Sequence, residues 1–117
     1  MEYVTYEEFN KMDIRVGTIR EVEPIADTEK LLCCQVDFGE VDENGDKKLR
    51  QIISGIHLYY PDVSVLINKK VLYIINLEPR KIKGYESNGM LMAIDGMDGS
   101  PVFLVPEVDV NTGSKVR

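Results

Sequence analysis

The sequence has no tryptophan, one histidine and only two cysteines among its 117 residues. Two adjacent cysteines, Cys33 and Cys34, cannot build the disulfide framework of a small secreted protein, so we expect reduced thiols and a cytoplasmic location. A single histidine, His57, excludes a metal site built on a histidine pair. No apolar run approaches the roughly 18 residues of a membrane span, and the start lacks the pattern of a signal peptide.

Catalytic signatures are also missing. The chain contains no GxSxG, GxGxxG or GxxxxGK[ST] motif. The acidic run 42–46 lacks the ligand spacing of a calcium loop, and its Asn44-Gly45 pair predicts a hairpin turn instead. Because no acid, base, nucleophile and metal set can be assembled, we expect a non-catalytic protein with no cofactor and no metal.

The net charge of −6 by itself argues against nucleic-acid binding, because an acidic protein repels a polyanion. The charge is unevenly distributed along the chain, however. Residues 1–46 carry 4 basic and 13 acidic side chains, residues 47–83 carry 8 basic and 2 acidic, and residues 84–117 carry 2 basic and 5 acidic. The basic middle segment indicates an interaction surface that the whole-chain charge conceals.

Short apolar or alternating runs separated by turn residues predict an all-β protein. Gly17 interrupts the first of these runs, as a bend or a bulge would. Residues 62–67 fit a short helix or an irregular turn. The predicted strands cover residues 14–22, 30–39, 48–54, 71–75 and 89–94, with a further short strand at 102–105.

Many short strands are typical of a β-sandwich or a barrel, and five main strands in about 95 residues suit a small closed barrel. The predicted fold is a five-stranded Greek-key OB-fold barrel, a single domain over 1–117 with a C-terminal extension. Thr5 and Glu8 have the spacing of a capping box, which predicts a short N-terminal helix over residues 6–12. We expect Tyr6, Phe9 and Met12 of that helix to point inward.

A basic segment leaves the most apolar predicted strand. Pro79 ends that strand because it has no N–H to donate. Arg80, Lys81 and Lys83 then follow on a predicted connection at the rim of the barrel, with Ile82 as an inward anchor. Cations grouped in this way suit phosphate groups, although a solvated basic loop without function has the same pattern.

Four segments together resemble the tRNA-binding domain family: DIRVG at 13–17, RQIISGI at 50–56, NLEPRKIKG at 76–84 and ESNGM at 86–90. The resemblance extends from about residue 9 to residue 116. It implies an OB-fold, structure-specific tRNA binding without catalysis and, as in bacterial members, a homodimer. The family includes free-standing tRNA-binding proteins, the C-terminal domain of many methionyl-tRNA synthetases, and a related secretion chaperone.

The resemblance also implies a set of RNA-contacting residues. Among them, Met90 either supports an unstacked base or packs in the core, and Ser87 either contacts RNA or makes a turn hydrogen bond. The full set is Arg15, Lys30, Arg50, Ser54, Asn76, Arg80, Lys81, Lys83, Ser87, Asn88 and Met90.

Two other functions fit the same fold. The chain resembles the secretion chaperone, which implies binding of unfolded polypeptides through apolar side chains such as Tyr59, Tyr60, Tyr85 and Met90. It also fits an accessory subunit that supplies tRNA affinity in trans to methionyl-tRNA synthetase. The RQIISG and SNGM segments are closer to the tRNA-binding branch, so tRNA binding is the first hypothesis.

Overall fold

A computed structural model describes residues 1–117 and shows a mostly β chain with one short α-helix, as predicted. None of its helices has the length and apolar character that crossing a membrane requires. A 3₁₀ turn, Val63–Leu66, lies where a short helix or irregular turn was expected. The elements are α1 Tyr6–Asn10, β1 Ile14–Pro24, β2 Leu32–Val41, β3 Lys47–Ser54, β4 Lys70–Ile74, β5 Arg80–Ile82, β6 Tyr85–Ser87, β7 Met90–Leu91, β8 Ala93–Asp95 and β9 Pro101–Phe103.

Five antiparallel strands form the main sheet in the order β3-β2-β1-β4-β7. The sheet curls so that its two edges approach, where Asn88 N donates to Gln51 O at 2.8 Å and Gln51 Nε2 donates to Glu86 O at 3.0 Å. These bonds bridge the edges without a continuous ladder. The predicted closed barrel is therefore a half-barrel, and the predicted turn at Asn44-Gly45 does join β2 to β3.

The core lies on the concave side of this sheet. Phe38 and Tyr73 meet edge to face there, with ring centroids 5.3 Å apart and planes at 85°. Cys34 belongs to the same cluster and is buried, whereas its neighbour Cys33 is half-buried. Adjacent residues of a strand point to opposite faces, which explains why the two free thiols differ in exposure.

Gly17 was expected to mark a bend or a bulge, and that interpretation is wrong. The β1–β4 pairing runs through Gly17 without interruption, and the irregularity in β1 falls between Ile19 and Glu21. A Cβ at position 17 would lie 2.6 Å from both Phe38 Cε1 and Val36 Cγ1. Glycine is thus needed here because side chains of the facing core approach the backbone closely.

The helix α1 begins with the predicted capping box. Glu8 N donates to Thr5 Oγ1 at 3.0 Å and Thr5 N donates to Glu8 Oε1 at 3.1 Å. The expectation that its apolar side chains point inward is wrong, since Tyr6 is 76% exposed and Phe9 and Met12 are each 39% exposed. A helix of five residues is too short to turn an apolar face onto the half-barrel.

The predicted fifth strand over 89–94 divides into two strands. Its first part, β7, pairs with β4, while β8 leaves the sheet and pairs with β9. The C-terminal extension then returns to β1, where Val16 N donates to Ser114 O at 2.9 Å and Val116 N donates to Ile14 O at 2.8 Å. It covers the half of β1 that β2 leaves unpaired.

Candidate nucleic-acid interface

The segment predicted as a rim connection is in fact a β-hairpin formed by β5 and β6. Lys83 and Gly84 make its two-residue turn, with φ of 52° and 83°, as a type I′ turn requires. Cross-strand pairing places Ile82 opposite Tyr85 and Arg80 opposite Ser87. Because side chains alternate along a strand, Arg80 and Ile82 lie on one face of this hairpin and Lys81 on the other.

Two contacts fix the hairpin to the half-barrel. The buried Ser87 hydroxyl accepts from Ile53 N at 3.0 Å and donates to Gly89 O at 3.3 Å. Of the two roles predicted for Ser87, it therefore has the structural one, a hydrogen bond within the chain. Ile82 is half-buried against the small cluster of Ile25, Leu31 and Ile53, as its predicted role as an anchor required. The hairpin therefore presents its charged side chains from a rigid support.

The three hairpin cations are unpaired. Arg80, Lys81 and Lys83 are exposed, and none forms an ion pair or a side-chain hydrogen bond. Lys30 was expected at the start of a strand, but it lies in the bend before Leu32. From there it lines, together with Lys83, an open depression of about 330 Å³. Lys30 and Lys83 thus share one depression, while Arg80 and Lys81 stand on the same hairpin, one on each of its faces.

Arg50, in contrast, uses all three of its guanidinium nitrogens within the chain. Its Nε and Nη2 donate to the Glu40 carboxylate at 2.7 and 2.9 Å, and Nη1 donates to Ile75 O at 2.7 Å. The guanidinium carbon also lies 5.7 Å from the centre of the Phe38 ring. The hydrogen bonds from Arg50 hold the pKa of Glu40 below its usual value. Arg50 thus joins β3, β2 and the end of β4.

Three other residues that were predicted to contact RNA are hydrogen-bonded or buried within the chain. Arg15 Nε donates to Asp13 Oδ1 at 2.7 Å, and its Nη1 donates to Gly113 O at 3.2 Å. The hydrogen bond from Arg15 holds the pKa of Asp13 below its usual value. Asn76 accepts from Asp13 N at 2.9 Å and donates to Lys11 O at 2.6 Å. Ser54 is buried at the end of β3.

Ion pairs reduce the positive charge of the middle segment. Lys47 pairs with Asp37 at 3.1 Å, Lys70 with Asp109 at 2.7 Å, and Arg50 with Glu40. Of the eight cations in residues 47–83, five are left without an ion pair, namely Lys48, Lys69, Arg80, Lys81 and Lys83. The hairpin therefore carries three of the five unpaired cations of this segment.

A pocket of about 110 Å³ opens between the hairpin and β7. Its apolar walls come from Ile53, Leu77, Ile82 and Met90, and its rim includes Glu78 and Arg80. Met90 is 47% exposed, so it forms a wall of this pocket and is not a core residue. Asn88 lines a separate, more open depression together with Lys48 and Arg50.

Leu77 and Glu78 were not among the predicted site residues. Both belong to the NLEPRKIKG segment that singled out this region, but nothing in their local spacing distinguishes a pocket rim from a solvated loop. No three His, Cys, Asp or Glu side chains are grouped as metal ligands would be.

Comparison with known proteins matches this chain to one family over most of its length. The model of the family described as "Putative tRNA binding domain" matches residues 14–115. A methionine–tRNA ligase of Pyrococcus horikoshii is 43% identical over 118 residues, which cover 100% of this chain and 15% of the ligase. The chain thus spans about 15% of the length of the curated relatives that it matches.

Two solved structures share the fold. A MetRS related protein from Pyrococcus horikoshii has a TM-score of 0.85 and 34% identity, with both chains covered in full. A CsaA chaperone protein from Picrophilus torridus has a TM-score of 0.82 and 29% identity, covering 98% of this chain and 100% of the other. The match of the family model to residues 14–115 and the identity of 43% to a relative show that this chain belongs to the tRNA-binding domain family.

Proposed function

We propose that residues 1–117 act as one non-catalytic unit that binds tRNA through the hairpin surface, defined as Arg80, Lys81, Lys83 and Lys30. The observation that carries the proposal is that three unpaired cations stand on a rigid β-hairpin of a chain that belongs to a tRNA-binding family. Arginine grips a phosphate with two hydrogen bonds, and lysine adds a point charge. Such contacts favour the backbone shape of tRNA over its sequence.

The acidic remainder of the chain complements this surface. Because the net charge is −6 while three unpaired cations stand together on the hairpin, a polyanion is attracted to the hairpin and repelled by the acidic surface elsewhere. Repulsion from the other faces lowers binding of nucleic acids that cannot match the hairpin surface. We therefore expect moderate affinity with selectivity for a folded RNA.

A homodimer in the cytoplasm is part of the proposal. Two copies would place two hairpin surfaces on one assembly, which raises affinity through effective concentration when both engage one tRNA. The exposed apolar side chains Tyr6 and Phe9 of α1 and Val102 and Val105 near the C-terminus are the candidates for the dimer interface. Because the relatives are methionine–tRNA ligases, the unit would supply tRNA affinity to such a synthetase, in trans or as a segment of it.

A salt titration tests the electrostatic basis of the proposal. If four cations each neutralise one phosphate, the logarithm of the tRNA association constant falls with the logarithm of salt concentration with a slope of about −3 per protomer. The measurement is fluorescence anisotropy of a labelled methionine tRNA transcript, on protein whose oligomeric state has been determined. A slope near zero, or no binding at low salt, contradicts the proposal.

Binding of unfolded polypeptides is the second candidate function, because the chain is similar in structure to a CsaA chaperone protein. Tyr59, Tyr85 and Met90 are 51%, 41% and 47% exposed and are available for apolar contacts. Tyr60 is not, since it stacks on Phe103 with ring centroids 5.0 Å apart. Titration with a reduced, unfolded polypeptide alongside tRNA separates the two functions, because apolar binding of a polypeptide persists at salt concentrations that release tRNA.

A further inference from the structure

The pocket beside the hairpin has a different chemistry from the cations around it. Its volume of about 110 Å³ is several times the ~10–15 Å³ that one water needs, so it has room for a ring system. Leu77, Ile82 and Met90 provide apolar walls, against which the faces of an aromatic ring can pack.

The polar rim of the pocket selects the kind of ring. Glu78 lines the pocket and has no hydrogen-bond or ion-pair partner in the chain, and the same is true of Arg80. A free carboxylate repels phosphate, so the group that enters the pocket must donate hydrogen bonds. The nearby hydroxyl of Ser87 is already occupied by Ile53 N and Gly89 O, so it adds no further selection.

Among the nucleobases, guanine offers two adjacent donors, N1–H and the N2 amino group, on the edge that pairs in a helix. A carboxylate accepts both of them at once, whereas adenine presents one donor next to an acceptor, and uracil one donor between two acceptors. The edge is free only when the base is unpaired. Arg80 also lines this pocket, so its guanidinium is near enough to contact the phosphate of the bound nucleotide.

We propose that this pocket binds one unpaired guanine of the bound RNA, with its N1–H and N2 amino group donating to Glu78 and its phosphate contacted by Arg80. This inference rests on the proposed tRNA binding, and it adds a base-reading subsite to a surface that otherwise contacts phosphates. Apolar side chains of an unfolded polypeptide are the competing occupant of the same walls.

Kethoxal modification tests the subsite, because this reagent reacts with N1 and N2 of unpaired guanines. In a methionine tRNA transcript saturated with the wild-type protein, we expect protection of one unpaired guanine. The Glu78→Gln variant should lose that protection even at saturation and bind the transcript roughly 5- to 100-fold more weakly. Glu86→Gln is the matched control, because Glu86 lies on the opposite face of the hairpin and the charge change is the same.

The possible failures can be told apart. If the transcript binds and no guanine is protected, or if Glu78→Gln protects the same guanine as the wild type, the guanine subsite is wrong and the tRNA-binding proposal stands. If the transcript does not bind at low salt, both proposals are wrong. Loss of protection in Glu86→Gln as well as in Glu78→Gln would show that charge, and not the pocket, governs the contact, which also overturns the subsite.

Discussion

Replacing Arg80, Lys81 and Lys83 together by alanine lowers the affinity for tRNA by about 50- to 200-fold at 0.15 M salt. This magnitude follows from the loss of three phosphate contacts, each of which contributes ~0.7–0.9 to the salt slope. The slope itself should therefore fall from about −3 to about −1 per protomer. Both values come from anisotropy titrations of one labelled tRNA transcript at several salt concentrations.

The fold of the triple variant should be unaffected. The three side chains are exposed and unpaired, and surface substitutions of this kind change stability by about 0.5 kcal/mol or less. Lys83 has a positive φ of 52°, but alanine at this position adds no strain that the lysine does not already bear. Thermal unfolding followed by circular dichroism should therefore coincide for the variant and the wild type.

The matched control removes the same charge elsewhere. Lys69, Lys115 and Arg117 form no ion pair, and Lys69 directly precedes β4, whose other end leads to the hairpin. The triple alanine variant of these residues should lose no more than a few-fold in affinity, through long-range charge alone. Equal losses of affinity in the two variants would mean that net charge governs binding. Wild-type affinity in the hairpin variant would mean that the hairpin surface is not the tRNA-binding site.

Local patterns were sufficient to predict much of the fold. Alternation of apolar residues located the main strands, the Thr5–Glu8 spacing gave the capping box, and Asn44-Gly45 gave the hairpin turn. Pro79 was expected to end the apolar strand, but β4 already ends at Ile74 and Pro79 lies directly before β5. The residues after Pro79 form a hairpin because Lys83-Gly84 makes a type I′ turn. A Lys-Gly pair is a weaker turn signal than Asn-Gly, which explains why the hairpin was not predicted.

Packing between distant segments decided what local patterns could not. In the sequence, Gly17 looks like a break in its strand. The structure shows that glycine is needed there because Phe38, 21 positions further along the chain, packs against its backbone. The apolar residues of α1 look like a core-facing stripe, although the helix contributes no buried residue to this chain. Which cations are free likewise depends on partners such as Asp109 for Lys70, which are brought together only by the tertiary fold.

Arg50 shows the same distinction between a family motif and its role in the structure. The RQIISGI segment marked it as an RNA contact, yet all three of its guanidinium nitrogens donate within the chain. Its partner Glu40 is on β2, beyond a register shift in the β2–β3 ladder. Since Arg50 also reaches Ile75 O and Asn88 O, it connects the two edges of the curled sheet near the hairpin.

We therefore expect Arg50→Ala to destabilise the fold by about 2 kcal/mol and lower Tm by roughly 6–12 °C. This is less than the loss of a fully buried pair, because the Arg50 and Glu40 side chains are 21% and 31% exposed. Below the melting range, the tRNA affinity of Arg50→Ala should stay within a few-fold of wild type. Arg80→Ala should show the reverse, with wild-type stability and weaker tRNA binding.

The pH dependence of stability provides an independent check on the Arg50–Glu40 pair. Arg50 holds the pKa of Glu40 below its usual 4.5, so the ionised pair stabilises the fold above that pH and its contribution is lost as the pH falls. The free energy of unfolding, from urea titrations between pH 7 and pH 3, should thus fall less steeply in Arg50→Ala than in the wild type. A variant with wild-type stability and pH profile but greatly weakened tRNA binding would instead place Arg50 on the RNA, because its ion pair with Glu40 would then contribute nothing to the fold.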